Sequence, residues 1–224
     1  MIHVARIPKP SILVRKEAQW KAQIRHASTP SARKQAQDKY QHQEVKDALI
    51  TMFHGKCAYC ESAITHIDYG HIEHFRPKSH PAFYEKAVEW DNLLLACGRC
   101  NGAENKGVCF PSASQGGPLL NPTQDDDPEQ HLKFDFDPVT KLANVLDRTS
   151  RGRTTWQTLG LNRTELLRRR SEFVKKLSVV ANFYGSHQEA RAIIDEAIQD
   201  SSEYVAFARA IRSAAISQST VGMP

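Results

Sequence analysis

The sequence predicts an α+β fold, with a small metal-stabilised core of strands between helical N-terminal and C-terminal regions. Two Cys-x-x-C pairs, Cys57/Cys60 and Cys97/Cys100, bracket a histidine-rich stretch that alternates like a strand. The regions on either side carry apolar residues at helical spacing. The 224 residues, 40% hydrophobic and 25% charged, are typical of one generous globular domain.

Composition also restricts the compartment. No apolar run approaches the roughly 18 residues needed to cross a bilayer, and the first sixteen residues lack the apolar stretch of a signal peptide. Four of the five cysteines fall in Cys-x-x-C pairs. In a chain without an export signal, this favours metal binding over disulfides. We therefore expect a cytoplasmic protein.

The positive charge is concentrated near the N-terminus. The net charge is +5, and residues 1–56 hold eleven Lys and Arg against four Asp and Glu, a local net of 11 − 4 = +7. Such a segment suits a phosphate backbone, because Lys and Arg displace condensed counterions. A solvated helix surface explains the same charge, so both interpretations remain open.

Turn residues and periodicity divide the chain into four segments. Residues 1–54 form a basic helical extension, 55–107 the core, 108–153 a loop with a short hairpin, and 154–224 a C-terminal helical region. The predicted helices are 13–27, 31–53, 154–159, 164–184, 187–199 and 202–215, and the predicted hairpin strands are 131–136 and 142–145.

The cysteine pairs indicate a structural metal site. A Cys-x-x-C turn lets two thiolates face one ion, and two such knuckles complete the tetrahedral sulfur set that Zn²⁺ accepts. Cys57, Cys60, Cys97 and Cys100 are therefore predicted to bind structural zinc, although four thiolates also suit iron. Cys109 has no spacing partner, and we expect a small buried residue there.

Strand-like alternation marks residues 69–75, between the knuckles. On a flat strand, His71, Glu73 and Phe75 share one face, whereas Ile72 and His74 share the other. Residues 90–95 are predicted to be a second, buried strand that enters the second knuckle, and a short helix is expected over 100–106.

These motifs together resemble an HNH endonuclease. The resemblance rests on Glu73-His74-Phe75-Arg76-Pro77, then Asn92 in NLLLAC, then Asn101 directly after CGRC. It covers about residues 55–107 and implies the ββα-metal fold, with zinc knuckles as in many members. The segments KCAYCES, IEHFRPKS, EWDNLLLACGRCN, LLNPTQDDDP and RIPKP look more narrowly like retron- and Septu-associated HNH proteins. Those proteins are nuclease subunits of bacterial anti-phage systems that partner an ABC/SMC-type ATPase.

The resemblance assigns roles to individual residues. His74 is the expected general base, because a neutral imidazole accepts a proton from water near pH 7. Glu73, where the family usually has Asp, and Asn101 are the expected ligands of a catalytic metal; carboxylate and amide oxygens suit Mg²⁺ or Mn²⁺. Asn92 is expected to pin the loop between the strands and orient His74. On a flat strand, Glu73 and His74 diverge, so their cooperation requires a twist or a metal at the strand tip.

Four basic side chains near this site are candidate phosphate contacts: His71, which is also a candidate auxiliary ligand, Arg76, Lys78 and Lys106. A solvated charge is the alternative explanation for Arg76, Lys78 and Lys106. The predicted function is a metal-dependent hydrolase of phosphodiesters, with DNA as substrate by resemblance. A non-catalytic zinc module that binds nucleic acid or protein, and an RNA-cleaving toxin, are the alternatives. Residues 125–127 and 168–170 are expected to be a solvated acidic turn and a solvated basic helix face.

Overall fold

The computed structural model describes residues 1–124 and 127–221, with side chains up to residue 217. Its helices are α1 (Ser11–Arg25), α2 (Pro30–Gln37), α3 (Gln43–Met52), α4 (Gly98–Asn101), α5 (Pro128–His131), α6 (Ser150–Thr158), α7 (Thr164–Ala181), α8 (Gln188–Ala197) and α9 (Val205–Val221). Its strands are β1 (His71–His74), β2 (Leu93–Ala96), β3 (Leu132–Phe136) and β4 (Ala143–Asp147). They form two antiparallel hairpins, β1–β2 and β3–β4.

The N-terminal region is divided more finely than predicted. Helix α1 confirms the first predicted helix, but the predicted helix 31–53 is wrong as a single element. It consists of α2, a 3-10 turn at Asp38–Tyr40, and α3. Gln41 leaves the helical region with ψ of 41°, and the His42 ring accepts a hydrogen bond from the Glu44 N–H to cap α3. No Gly or Pro marks this break, so turn residues could not predict it.

The β1–β2 hairpin is shorter than the sequence indicated. Trp90–Asn92 is a 3-10 turn, so β2 begins only at Leu93, and a longer 3-10 segment, Pro81–Val88, lies between the strands. The predicted helix over 100–106 is also wrong. Helix α4 is a single turn, and it stops at Gly102, whose ψ of 160° is extended. The segment 102–109 after it is therefore a series of turns.

The second hairpin connects the core to the C-terminal helices. Strands β3 and β4 confirm the predicted pair, with Phe134 opposite Val145. Arg170 on α7 is almost fully buried, and its guanidinium donates to the carbonyls of Ala143 and Leu161. The expectation of a solvated basic face at residues 168–170 is therefore wrong for Arg170.

All four predicted segments contribute to one hydrophobic core. Leu13, Leu94, Leu120 and Phe207 are buried members of it, one from each segment. Burying apolar surface is the main favourable term in folding, so these segments stabilise one another. Arg6 adds a polar link, because its guanidinium donates to the carbonyls of Trp90, Asp91 and Leu93 at the start of β2.

Two further expectations concern chain ends and turns. In the acidic turn, the carboxylate of Asp127 accepts a hydrogen bond from Glu129 N–H and caps α5, while Asp125 and Asp126 lie outside the described residues. Helix α9 runs through Val221, beyond its predicted end at residue 215. Every helix in the described part of the chain is too short or too polar to span a membrane.

Candidate active site and metal centre

The four paired cysteines meet in one cluster. Their sulfur atoms all lie within 4.8 Å of one another, and Sγ of Cys60 is 3.9 Å from Sγ of Cys97. A tetrahedral site with Zn–S bonds of about 2.3 Å has sulfur–sulfur edges of about 3.8 Å. The cysteines therefore fit a metal that takes four thiolates. Glu61, with a positive φ of 62°, closes the first knuckle by donating its N–H to the Cys57 carbonyl.

Arg163 supplies positive charge beside this cluster. It lies between α6 and α7, and its Nη1 is 3.5 Å from Sγ of Cys100. Burial alone would lower the pKa of Arg163, but the Cys100 and Cys60 thiolates outweigh burial and raise it. Four thiolates around a divalent ion leave two excess negative charges, so a neighbouring guanidinium offsets part of them.

Glu73 lies on the face of β1 that contacts Tyr59 of the first knuckle and Lys106. Its side chain is 4% exposed, and its Oε1 is 2.5 Å from Nζ of Lys106. The Tyr59 hydroxyl lies 3.4 Å from the same oxygen. Burial raises the pKa of Glu73, against the opposing effect of Lys106. The carboxylate thus already holds a buried cation.

His74 lies on the opposite side of the strand. Its Nε2 is 3.0 Å from the Ala87 carbonyl, and its ring meets the Tyr40 ring edge-on at 4.4 Å between centroids. Because a carbonyl only accepts, Nε2 carries the proton and Nδ1 keeps the free lone pair. Burial lowers the pKa of His74 to about 4. The imidazole is therefore neutral at pH 7.

The divergence expected for Glu73 and His74 is present in the structure. Glu73 contacts Tyr59 and Lys106, whereas the His74 ring contacts Tyr40 and Ala87. Adjacent strand residues point to opposite faces, and four-residue β1 follows that rule. One group bridges the two residues, because Lys106 Nζ also donates to the His74 carbonyl at 2.9 Å.

Asn92 joins the end of β1 to the 3-10 segment that holds His74. It is 1% exposed. Its Oδ1 accepts from Arg76 N–H at 2.7 Å, and its Nδ2 donates to the carbonyls of Arg76 and Lys86 at 2.9 and 3.0 Å. Since Ala87 follows Lys86, Asn92 fixes the segment whose carbonyl orients the imidazole.

Asn101 and His71 lie at the two ends of α4. Asn101 is its last residue and is half-buried, and its side chain makes no hydrogen bond within residues 1–124 and 127–221. His71 is exposed at the start of β1. Its Nε2 would be 3.2 Å from a Cβ built on Gly98, so the ring lies over the first turn of α4. His71 therefore shares the α4 side with Glu73.

The remaining candidate phosphate contacts differ in their surroundings. Arg76 lies over the Phe110 ring, 5.8 Å from its centroid, and has no acidic partner in the described part of the chain. Lys78 is paired with Asp38 at 2.6 Å. Lys106 is fully buried against Glu73. Lys106 is therefore not a surface cation that could reach a phosphate, which corrects that expectation.

Ion pairs neutralise some of the cations of the basic N-terminal region. Its cations meet carboxylates from α1, α3 and the segment before β2: Lys9 with Glu17, Arg15 with Glu44, Lys21 with Glu17 and Glu89, and Arg25 with Glu85. The charge excess in the sequence therefore overstates the free positive charge of this surface. Cys109 is exposed, so the expectation that it is buried is wrong.

Four residues of this site were not identified from the sequence: Tyr40, Tyr59, Arg163, and Lys106 in its buried role. Tyr59 lies inside the first Cys-x-x-C pair, where its position between two ligands was a usable signal. Arg163 and Tyr40 reach the site from distant segments, and no local pattern marks them.

Comparison with known proteins agrees with this geometry. Residues 57–107 match the HNH endonuclease family. The Septu protein PtuB of Bacillus mycoides (strain KBAB4) is 33% identical over 164 residues, covering 62% of this chain and 54% of that protein. The Septu protein PtuB of Bacillus thuringiensis is 33% identical over 168 residues, covering 75% of this chain and 57% of that protein. The chain thus spans a little over half the length of these curated relatives. It contains an HNH endonuclease domain at residues 57–107 and is similar in sequence to PtuB beyond that domain.

Proposed function

We propose that the protein is a metal-dependent endonuclease that hydrolyses phosphodiester bonds in DNA. One observation carries the proposal: inside an HNH domain, His74 is a neutral imidazole whose Nε2 is fixed by a backbone carbonyl. This leaves Nδ1 free to accept a proton. General bases of this kind contribute typically about 10²–10⁴-fold to the rate.

In this proposal His74 takes the proton of the attacking water at Nδ1. Ala87 holds the tautomer, and Asn92 holds the segment that carries Ala87. A free-protein pKa of about 4 leaves the ring neutral but makes it a weak base. A phosphodiester nearby adds negative charge, which favours the protonated ring and strengthens the base.

Glu73 and Asn101 are the residues that would hold the catalytic metal, with His71 as an auxiliary group on the same side. Their carboxylate and amide oxygens are the donors that Mg²⁺ or Mn²⁺ prefers. Glu73 fits a cation, because it already binds the ammonium of Lys106. When bound, such an ion stabilises charge on the phosphoryl group and on the leaving 3′ oxygen.

Arg76 is the phosphate contact that its surroundings favour. Its guanidinium lies on an aromatic ring and is not neutralised by a carboxylate among the described residues. A planar guanidinium binds phosphate through two parallel hydrogen bonds. Lys78 is a weaker candidate, because Asp38 already neutralises it.

The metal of the cysteine cluster is proposed to be structural zinc, with iron as the alternative. Zinc would tie the first knuckle to the second across β2, whose Leu95 carbonyl accepts from Ala58 N–H. None of the five cysteines forms a disulfide, which also fits a reducing, cytoplasmic compartment.

The similarity to PtuB supports a place in anti-phage defence, as the nuclease subunit that partners an ABC/SMC-type ATPase. Co-expression with an ATPase encoded beside this gene, followed by affinity purification, tests the partner. A stable complex is expected. Separate purification of the two proteins at micromolar concentration would contradict the assignment.

A second candidate is a non-catalytic zinc module that binds nucleic acid or protein. The burial of both Glu73 and His74 favours it, because neither side chain lies open to solvent. A nuclease should nick plasmid DNA with Mg²⁺ or Mn²⁺ and stop in EDTA, whereas a binding module should not cut at all.

The deciding experiment is His74→Ala. Plasmid cleavage should fall by at least 100-fold while zinc content and the circular dichroism spectrum stay as in the wild type. Cleavage that survives this change contradicts the mechanism. Running the same proteins on single-stranded RNA decides between DNA and RNA as substrate.

A further inference from the structure

We infer that Lys106 is an internal counter-cation of the catalytic site: its ammonium holds Glu73 in the resting protein and competes with the divalent metal for that carboxylate. The inference rests on the proposed role of Glu73 as a metal ligand and adds a regulatory step to it. Glu73 becomes an open ligand only when Lys106 withdraws.

The first support is the geometry of the pair. Nζ of Lys106 is 2.5 Å from Oε1 of Glu73, and the two side chains are 0% and 4% exposed. Removing each charge from water is unfavourable, so such a pair forms only when both partners compensate one another. A divalent ion that binds Oε1 would compete with the ammonium for the same oxygen. If both stayed beside Oε1, the two cations would repel one another.

The second support is the position of the same ammonium against the general base. Lys106 Nζ also donates to the His74 carbonyl at 2.9 Å. One cation therefore holds both consecutive residues of β1, the proposed ligand and the proposed base. This is more than a surface ion pair, and it explains why a lysine stem is buried in the domain core.

The third support is the chain around Lys106. Its backbone N–H donates to the Cys100 carbonyl at 3.3 Å, and its own carbonyl accepts from Cys109 N–H at 2.7 Å. Glu104, Val108 and Cys109 on either side are exposed. Lys106 is thus the buried anchor of an exposed segment, and any contact that lifts segment 102–109 removes the ammonium from Glu73.

The rival interpretation is that Lys106 only stabilises the fold. It predicts that replacing Lys106 destabilises the protein without strengthening metal binding. Competition predicts instead that replacing Lys106 strengthens metal binding. A direct measurement of metal affinity therefore separates the two interpretations.

The test is a titration of the full, zinc-loaded chain with Mn²⁺. Binding is measured from the electron paramagnetic resonance signal of the Mn²⁺ that remains free. Lys106→Met should bind Mn²⁺ at least tenfold more tightly than the wild type, and Lys106→Arg, which keeps the charge, should not. Lys56→Met is the matched control, because Lys56 is also buried and its ammonium also bonds a backbone carbonyl, that of Ser202. Its affinity should equal that of the wild type.

Glu73→Gln separates failure of this inference from failure of the proposed function. If Glu73→Gln leaves Mn²⁺ binding unchanged, Glu73 is not the metal ligand and the proposed metal site is wrong, which removes the basis of the inference too. If Glu73→Gln weakens binding but Lys106→Met binds as the wild type or more weakly, the inference alone is overturned.

A second measurement needs no variant and covers the case in which Lys106→Met does not fold. Acetylation of the wild-type chain, quantified by mass spectrometry, should label Lys106 slowly without Mn²⁺ and at least fivefold faster at saturating Mn²⁺. Lys56 should be unaffected. Equal protection of Lys106 in both conditions overturns the inference.

Discussion

Replacing Asn92 with Ala tests how the hairpin holds the proposed base. The change removes three hydrogen bonds, to Arg76 N–H, the Arg76 carbonyl and the Lys86 carbonyl. All three are made by a side chain that is 1% exposed. At about 1 kcal/mol for each bond, and more for any backbone group left buried without a partner, the free energy of unfolding should fall by about 3 kcal/mol.

The same change should loosen the Ala87 carbonyl that fixes His74, so plasmid cleavage should also fall, by about tenfold or more. Urea unfolding followed by tryptophan fluorescence gives the stability, since Trp90 lies two residues away. Asn182→Ala, an exposed asparagine after α7, is the control and should change neither quantity. An Asn92→Ala protein within about 1 kcal/mol of the wild type, with normal cleavage, would show that Asn92 neither stabilises the hairpin nor positions His74.

Two further predictions concern titration and the metal cluster. The pKa of His74 is about 4 in the folded protein and 6.5 when the side chain is exposed. The unfolded chain therefore binds the proton first, and the free energy of unfolding falls as the pH drops from about 6.5 towards 4. Between pH 7 and 5, urea unfolding should show that the wild type loses about 2 kcal/mol more stability than His74→Ala. Arg163→Met should release zinc to a chromogenic chelator about tenfold faster than the wild type, because the Cys100 thiolate loses a charged hydrogen-bond donor. The control is Arg168→Met, which changes an exposed arginine five residues later.

Each of these two predictions has a result that would contradict it. Equal pH slopes for the wild type and His74→Ala would mean that the imidazole is hydrated in the folded protein. Zinc release from Arg163→Met at the rate of Arg168→Met would mean that the contact with Cys100 contributes nothing to retention of the metal.

Local spacing explains what could be predicted from the sequence. A Cys-x-x-C turn constrains its own backbone, so the thiolate cluster followed from two short motifs. Alternation over 71–75 placed Glu73 and His74 on opposite faces, as the structure has them. Most helix positions in the flanking regions followed from apolar periodicity, but α2 and α3 separate at Gln41 without a turn residue and α6 begins at Ser150, inside the segment predicted as loop and hairpin.

Pairing between distant charges could not be predicted in this way. Lys106 meets Glu73 across 33 residues, and Arg163 meets Cys100 across 63. Neither pair has a fixed spacing, because each depends on how separate elements pack. The same limit explains why the ion pairs of the basic N-terminal region, such as Arg25 with Glu85, could not be predicted from its composition.

Through the register of the β1–β2 hairpin, the thiolate cluster determines the surroundings of Glu73 and His74 as well as contributing to stability. His74 of β1 lies opposite Leu93 of β2. The first knuckle is hydrogen-bonded to β2 as well, because Ala58 N–H donates to the Leu95 carbonyl. A slip of one residue would turn every side chain of β1 to the other face and exchange the surroundings of the carboxylate and the imidazole. A protein that lost a metal from this cluster could therefore keep its helices and still be inactive, with the proposed metal ligand and the proposed general base each among the wrong neighbours.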